Sequence, residues 1–412
     1  MKILWFANTP CGASELLSPT SQGGGWLSAL EKQLVSSGEV KLHVCFQWNT
    51  DITSFSNGGV TYHPIRRIRM KNILLGQLLG GRFRQDSVQS FAKIISLVKP
   101  DLIHVHGTEE AFGLIQSITD IPLVISIQGI LSNLTSKYFS GISPFRFFLG
   151  ERIIDHLKLK SALSTYFIFR ANAKRERKIL SMAKHVIGRT NWDRCTTAVL
   201  APNAQYHHGD EILRDSFFNA VWSKHSFSSP LRIVTVSSGS PYKGLETVLE
   251  ASRILKEKIG LSFTWTVVGL SADDDLVNVV LKWLGTQEEV QFMGTCSGDG
   301  IRNILLDSDI FCQVSHIENS PNSLCEAMLL GMPIVATFAG GTDSMLCAGE
   351  GLLVQDGDPW SMAGSILELS RDFGRAAKFG QAARTRALVR HDPVSIVNEL
   401  ILTYRRILGA LE

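Results

Sequence analysis

Short apolar runs alternate with polar, glycine-bearing turns and with stretches of helical spacing along the whole chain. Ile3-Leu4-Trp5-Phe6, Leu102-Ile103-His104-Val105-His106 and Leu123-Val124-Ile125-Ser126-Ile127 have the length and composition of buried strands, and Lys41 to Phe46 alternates like one. A second series reads the same way: Leu231 to Val236, Phe263 to Val268, Val290 to Phe292, Ile310 to Val314, Ile334 to Ala336 and Leu352 to Val354. Between the strands, Leu27, Leu30 and Leu34 open a helix, and residues 87–98, 299–306 and 394–411 read as others. This alternation predicts an α/β architecture. A chain of 412 residues exceeds one ordinary core, so two domains are expected. Their expected limits are 1–204 and 231–390. A polar connector (205–230, with some helix from Glu211 to Asn219) joins them, and a terminal helix occupies 391–412 and crosses back onto the first domain.

The stretch from Glu318 to Gly341 carries the most specific signals. Asn319 and Ser320 suit a helix N-cap and Pro321 the first helical position. Leu324, Ala327, Met328 and Leu329 supply an apolar face, Gly331 ends the helix, and Pro333 prevents its continuation. Glu318 then falls in the turn after a strand and Glu326 early in the helix. Both can face the crevice at the carboxyl ends of a parallel sheet. Free amides near Asn322 and Ser323 suit a phosphate. Carboxylates beside a phosphate make sense if they accept hydrogen bonds from ribose or sugar hydroxyls. The pair therefore describes a nucleotide-sugar site.

The Glu-x7-Glu spacing of Glu318 and Glu326 lies within ENSPNSLCEAMLLGMP, and a Gly340-Gly341 loop follows it. Together they resemble glycosyltransferase family 4, whose members are retaining enzymes of the GT-B architecture. PDLIHVHG at 100–107 and VIGRTNWD at 186–193 are similar to runs of the same family. The resemblance implies two Rossmann-like domains with parallel sheets facing a central cleft. A UDP- or GDP-sugar would sit mainly on the second domain. Lys243 and the amides of Asn322, Ser323 and Leu324 would hold the diphosphate, Glu326 the ribose and Glu318 the transferred sugar. Ser238, Gly269 and Met293 would border the donor, as would Gly24 and Gly25 from across the cleft. His106 and Gln128 would lie on the acceptor side, with His106, Glu318 and Lys243 as the catalytic set. The acceptor would be a saccharide or lipid-linked saccharide of capsule, O-antigen or exopolysaccharide synthesis. Two positions depart from the family: Gln128 stands where many relatives have histidine, and Ser237 or Ser238 where most have an arginine. The family needs no protein nucleophile. No Asp-x-Asp motif ends a cleft strand, Asp273-Asp274-Asp275 reads as a solvated run, and neither metal nor cofactor is expected.

Composition narrows the partners. The net charge of +3 hides an asymmetry: residues 1–200 carry 24 Lys and Arg against 13 Asp and Glu, and the remainder 17 against 25. Basic, apolar segments at 61–86 and 137–180 suit an anionic membrane surface, and no nucleic-acid motif accompanies the charge. No apolar run is long enough to cross a bilayer, and seven scattered cysteines without ligand spacing point to a reducing compartment. A cytoplasmic protein, peripheral on the membrane's inner face, is the expectation. The Gly23-Gly24-Gly25 run lacks the dinucleotide fingerprint spacing, which argues against a nicotinamide dehydrogenase. Two other readings of the chain remain: a nucleotide-sugar epimerase or hydrolase of the same fold, and a non-catalytic subunit of a polysaccharide-assembly complex.

Overall fold

The structure, a computed structural model, describes residues 1–17, 25–67 and 82–410, with the side chains of Glu15 and of 82–87 left out. The described strands form two sheets. The first contains β1 (Lys2–Ala7), β2 (Lys41–Trp48), β3 (Phe55–Asn57), β4 (Val60–Arg66), β5 (Leu102–His106), β6 (Leu123–Ser126), β7 (His185–Gly188) and β8 (Gln205–His208), in the order β3-β4-β2-β1-β5-β6-β7-β8. The second contains β9 (Leu231–Val236), β10 (Phe263–Val268), β11 (Val290–Phe292), β12 (Ile310–Gln313), β13 (Ile334–Phe338) and β14 (Leu352–Gln355), in the order β11-β10-β9-β12-β13-β14. The ladders are parallel apart from the β3–β4 hairpin. Strand order reverses between β1 and β5 in the first sheet and between β9 and β12 in the second. Open α/β sheets bind ligands outside the carboxyl ends of strands at such points.

Both faces of each sheet are covered, which is why its strands read as continuous apolar runs. In β1, Ile3, Trp5 and Ala7 enter one core and Leu4 and Phe6 the other, following the two-residue repeat of a strand. The helix Pro393–Ile407 is capped by Asp392, which accepts from the Ser395 amide, and has proline at its first position. It buries Val397, Leu400, Ile401 and Tyr404 against the first sheet. Trp5 Nε1 donates to Tyr404 Oη at 3.0 Å, and Tyr404 Oη lies 2.6 Å from His104 Nδ1. Indole N–H can only donate, so the tyrosine hydrogen is left for Nδ1. The imidazole hydrogen then sits on Nε2, 2.6 Å from Ser126 Oγ. His104 is a satisfied core histidine, and burial pushes it down to about 3.

Three sequence expectations change here. Residues 60–66, the start of the first basic segment, are strand β4, whose Tyr62 and His63 are buried. Of that segment, Arg69 and Lys71 and the side chains of Arg82 and Arg84 lie outside the described residues. The connector begins with β8, paired in parallel with β7, and its helix is confined to Asp215–Phe218. Residues 137–180 break into the helices Pro144–Gly150, Ile153–Leu157 and Ala162–Ser181. The first of these reaches the other domain. Phe147 and Ile142 join the second domain's core, Trp283 Nε1 donates to Arg146 O at 3.2 Å, and Lys282 Nζ donates to Leu149 O at 2.9 Å. Phe145, Phe148, Ile153, Leu157 and Phe167 stay exposed.

Candidate functional site

Lys243 and Glu318 meet at the second sheet's switch point. Lys243 closes the turn Pro241–Lys243 after β9. Gly244 follows with φ +75°, and a Cβ there would lie 2.0 Å from Val314 O just past β12. Only glycine lets the turn dock this closely. Lys243 Nζ then lies 2.5 Å from Glu318 Oε1, which also accepts from Ser315 Oγ at 2.8 Å. Burial opposes the ammonium charge, but Glu318 and Tyr242 hold Lys243 above its ordinary value, so it stays a cation. Gly340, with φ +59°, lets the following loop close over Glu318, and the Gly341 amide donates to Glu318 O at 2.9 Å.

The helix that follows starts one residue later than its sequence suggests. It runs Asn322–Leu330, with Pro321 extended at the N-cap. The side chains that suit a cap are engaged elsewhere. Asn319 Oδ1 accepts from Thr190 Oγ1 at 2.8 Å, Asn319 Nδ2 donates to Gln128 O at 3.4 Å, and Ser320 Oγ donates to Glu211. The Leu324 amide donates to Pro321 O at 3.0 Å and its side chain is fully buried, so Leu324 offers nothing to a ligand. Asn322 and Ser323, half-buried in the first turn, supply the amides that suit an anion.

Glu326 is 5% exposed, with Oε1 3.2 Å from Arg214 Nη1. Burial pushes it up to about 7 although Arg214 acts the other way. The folded chain thus binds that proton more tightly than the unfolded one. The stability this contributes is present below the ordinary value of 4.5 and lost as pH rises through about 7. Ligand-free Glu326→Gln protein is therefore expected to hold its Tm between about pH 4.5 and 7, where the parent's falls. If Glu326 binds ribose hydroxyls, the same variant loses about 1–3 kcal/mol of donor affinity and the parent's affinity rises across that interval. Parallel pH slopes in thermal shift would contradict the assignment.

The remaining sequence candidates scatter around this centre. Ser238 and Met293 are exposed past β9 and β11, and Gly269 follows β10 with φ +97°. Gly25 opens the helix Gly25–Ser36, whereas Gly24 lies outside the described residues. Gln128, just past β6, touches Asn319 and accepts from Asn8 Nδ2 at 3.4 Å. His106 ends β5 but does not line an open cleft. It is 1% exposed, with its ring centroid 4.5 Å from that of Trp5 and 3.9 Å from that of His104. Burial, then His104 and Arg189, keeps it neutral.

Several residues have no local sequence signal. Arg214 comes from the polar connector, and its side chain packs by Gly298. His316 lies between Glu246 (2.6 Å) and Asp356 (3.5 Å). Burial would lower its pKa, yet Glu246 and Asp356 hold it raised. Glu211, fully buried, faces Arg189 (3.5 Å), accepts from Ser320 and Cys325, and gives its carbonyl to His391. Glu211, Cys325 and His391 are the group among the described residues close enough to share an ion. Against burial, Arg189, His391 and Arg390 hold Glu211 down to about 2, so its charge is already met and the set does not suit a cation.

Residues 219–386 match the family model described as glycosyl transferases group 1. Two curated relatives are similar over shorter spans. The putative colanic acid biosynthesis glycosyltransferase WcaL of Salmonella typhimurium is 28% identical over 34% of this chain and 36% of its own length. The amylovoran biosynthesis glycosyltransferase AmsK of Erwinia amylovora is 28% identical over 40% and 42%. The chain thus spans about two fifths of the curated relatives it matches. Among solved structures, sucrose-phosphate synthase from Thermosynechococcus elongatus superposes over 100% of both chains with a TM-score of 0.73 at 15% identity. Anabaena HepE in complex with UDP covers 98% of this chain and 100% of its own, with a TM-score of 0.64 at 19% identity. The fold is the GT-B architecture, and the second domain carries the glycosyl transferases group 1 match.

Proposed function

We propose that the protein transfers a sugar from a nucleoside diphosphate sugar to a saccharide or lipid-linked saccharide in surface-polysaccharide synthesis. The observation that carries this reading is the Lys243–Glu318 pair at the β9/β12 switch point, beside the Asn322 and Ser323 amides. In the reaction, the bond from the anomeric carbon to the diphosphate breaks, a bond to an acceptor hydroxyl oxygen forms, and the hydroxyl proton leaves with the nucleoside diphosphate. Lys243 and the two amides neutralise charge developing on the leaving diphosphate, usually the largest catalytic contribution. Glu318 accepts from hydroxyls of the transferred sugar and Glu326 from the ribose. A fixed ammonium already stands where the charge develops, so divalent metal is not required. The resemblance supports retention, with attack and departure on one face of the sugar. The WcaL and AmsK relatives support the exopolysaccharide setting, and the HepE structure supports a uridine nucleotide.

Thermal shift with UDP, GDP, UDP-glucose and GDP-mannose, followed by donor turnover with and without EDTA, tests the reading. One nucleotide class should raise Tm by mass action, and turnover should survive EDTA. A protein that binds none of these nucleotides does not carry the proposed donor site, and one that stops in EDTA uses a metal.

No helix among the described residues is long and apolar enough to cross a membrane. The exposed Phe145, Phe148, Ile153, Leu157 and Phe167 lie near Lys158, Lys160, Arg170, Lys174 and Arg177 along the chain. An exposed apolar and basic segment of this kind suits the surface of an anionic bilayer, with apolar side chains inserted and lysines and arginines at the headgroups. Co-flotation with phosphatidylglycerol vesicles, weakened by Phe148→Ser with Ile153→Ser, is expected. Equal flotation of parent and variant removes the assignment.

A further inference from the structure

We propose that Glu109, together with Gln128, forms the subsite that grips the acceptor saccharide by its hydroxyl groups. The inference rests on the sugar-transfer reading above and assigns the side of the cleft opposite the donor.

β1, β5 and β6 lie side by side in the first sheet, and the β1/β5 boundary is its switch point. Just past their carboxyl ends, three buried polar atoms lack hydrogen-bond partners: Thr9 Oγ1, Glu109 Oε2 and Gln128 Nε2. Buried polar atoms are nearly always paired, so three orphans on three adjacent strand ends mark a surface shaped for a polar ligand. Glu109 and Gln128 border the same point: a Cβ on Gly107 would meet Glu109 Oε2 at 2.1 Å and Gln128 Cδ at 3.5 Å. The missing side chain at Gly107, with φ +87°, leaves room for the Glu109 carboxylate to turn in beside Gln128.

Glu176, on the neighbouring helix, provides a contrast. It accepts from Thr108 Oγ1 at 2.7 Å, the Leu131 amide at 2.9 Å and the Ser132 amide at 2.9 Å, and so serves the fold. The Glu109 carboxylate is supported by its own backbone amide and that of Thr108, and its Oε2 is left without a hydrogen-bond partner. Asn8 Nδ2, by donating to Gln128 Oε1, fixes the Gln128 amide with its Nε2 hydrogens turned to the other side. A carboxylate acceptor beside an amide donor matches neighbouring hydroxyls on a sugar ring, each of which both donates and accepts.

The subsite faces the donor machinery. Gln128 O accepts from Asn319, the residue after Glu318, and the Glu109 charge is felt at Tyr242, next to Lys243. Burial, then Glu176 and Glu110, pushes Glu109 up to about 7. The ionised form is the stronger acceptor and offers both oxygens to hydroxyls, so acceptor affinity should rise with pH through about 7.

The test is release of nucleoside diphosphate at saturating donor, with octyl glucoside, octyl galactoside and octyl mannoside as acceptor probes. At least one glycoside should accelerate release by the parent. Glu109→Gln should raise the KM of that glycoside about tenfold or more and flatten its pH profile, with donor KM changed less than twofold. Glu109→Asp should recover part of the pH dependence. An unchanged glycoside KM in Glu109→Gln overturns the assignment. So does a loss shared equally by donor KM and Tm, which marks a structural role, and so does a parent that turns over donor but responds to no glycoside. A parent that neither binds nor turns over donor refutes the sugar-transfer reading itself.

Discussion

Lys243→Ala is expected to lower donor turnover by about two to three orders of magnitude, the usual cost of removing one preorganised group that stabilises the charge of a transition state. The effect is large because two things change at once. The cation 2.5 Å from Glu318 disappears, and Glu318 is left with Ser315 as its described side-chain partner. An unopposed carboxylate then stands beside the position of an anionic leaving group, where the parent has a neutral pair. Lys243→Arg should recover little, because a planar fork does not fill the place of a compact ammonium. Glu318→Gln in the Lys243→Ala background should restore part of the rate by removing the repulsion. Rapid-quench measurement of a single turnover separates chemistry from release. A loss below tenfold would show that Lys243 does not face the diphosphate.

Glu211→Gln is expected to destabilise the protein by about 3–5 kcal/mol, the range for breaking a buried charge pair from one side. Glu211 is fully buried and Arg189 nearly so, and Arg390 is largely covered. Removing the carboxylate leaves the nearly buried Arg189 without that partner and takes away a charge that also supports Arg390. The penalty has a pH signature. Glu211 is held down to about 2, below its ordinary 4.5, so its stabilisation is present above about 4.5 and is lost as pH falls toward 2. Urea midpoints of parent and variant should therefore lie far apart at neutral pH and converge in acid. A constant gap would mean that packing, not charge, sets the cost. The same substitution should weaken donor binding, because Glu211 anchors Ser320 ahead of the site helix.

Much of the site was legible in the sequence because its signals are local. Glu318 falls in the turn after β12 and Glu326 in the helix that follows, where the local pattern of caps and apolar residues placed them. The strand ends that carry Lys243 and Gln128 follow from apolar runs and turn residues alone. The position of the site helix was legible to within one residue. Its cap was not, because Asn319 and Ser320 are drawn into contacts with Gln128, Thr190 and Glu211.

What the chain by itself determined is therefore the α/β alternation, the two-domain scale and the strand-end turns on which Lys243, Glu318 and Gln128 sit. Each depends on periodicities of two to four residues and on glycines that permit one backbone conformation. Tertiary structure alone decided where His106 points, that Phe147 serves the other domain's core, that Arg214 answers Glu326, and that Glu109 keeps an unpaired oxygen while Glu176 is saturated. Those outcomes depend on groups brought together across 75 positions for Lys243 and Glu318 and 180 for Glu211 and His391. A side chain's charge state and partners are set by burial and by whatever the fold places within a few ångströms, and no local pattern encodes either.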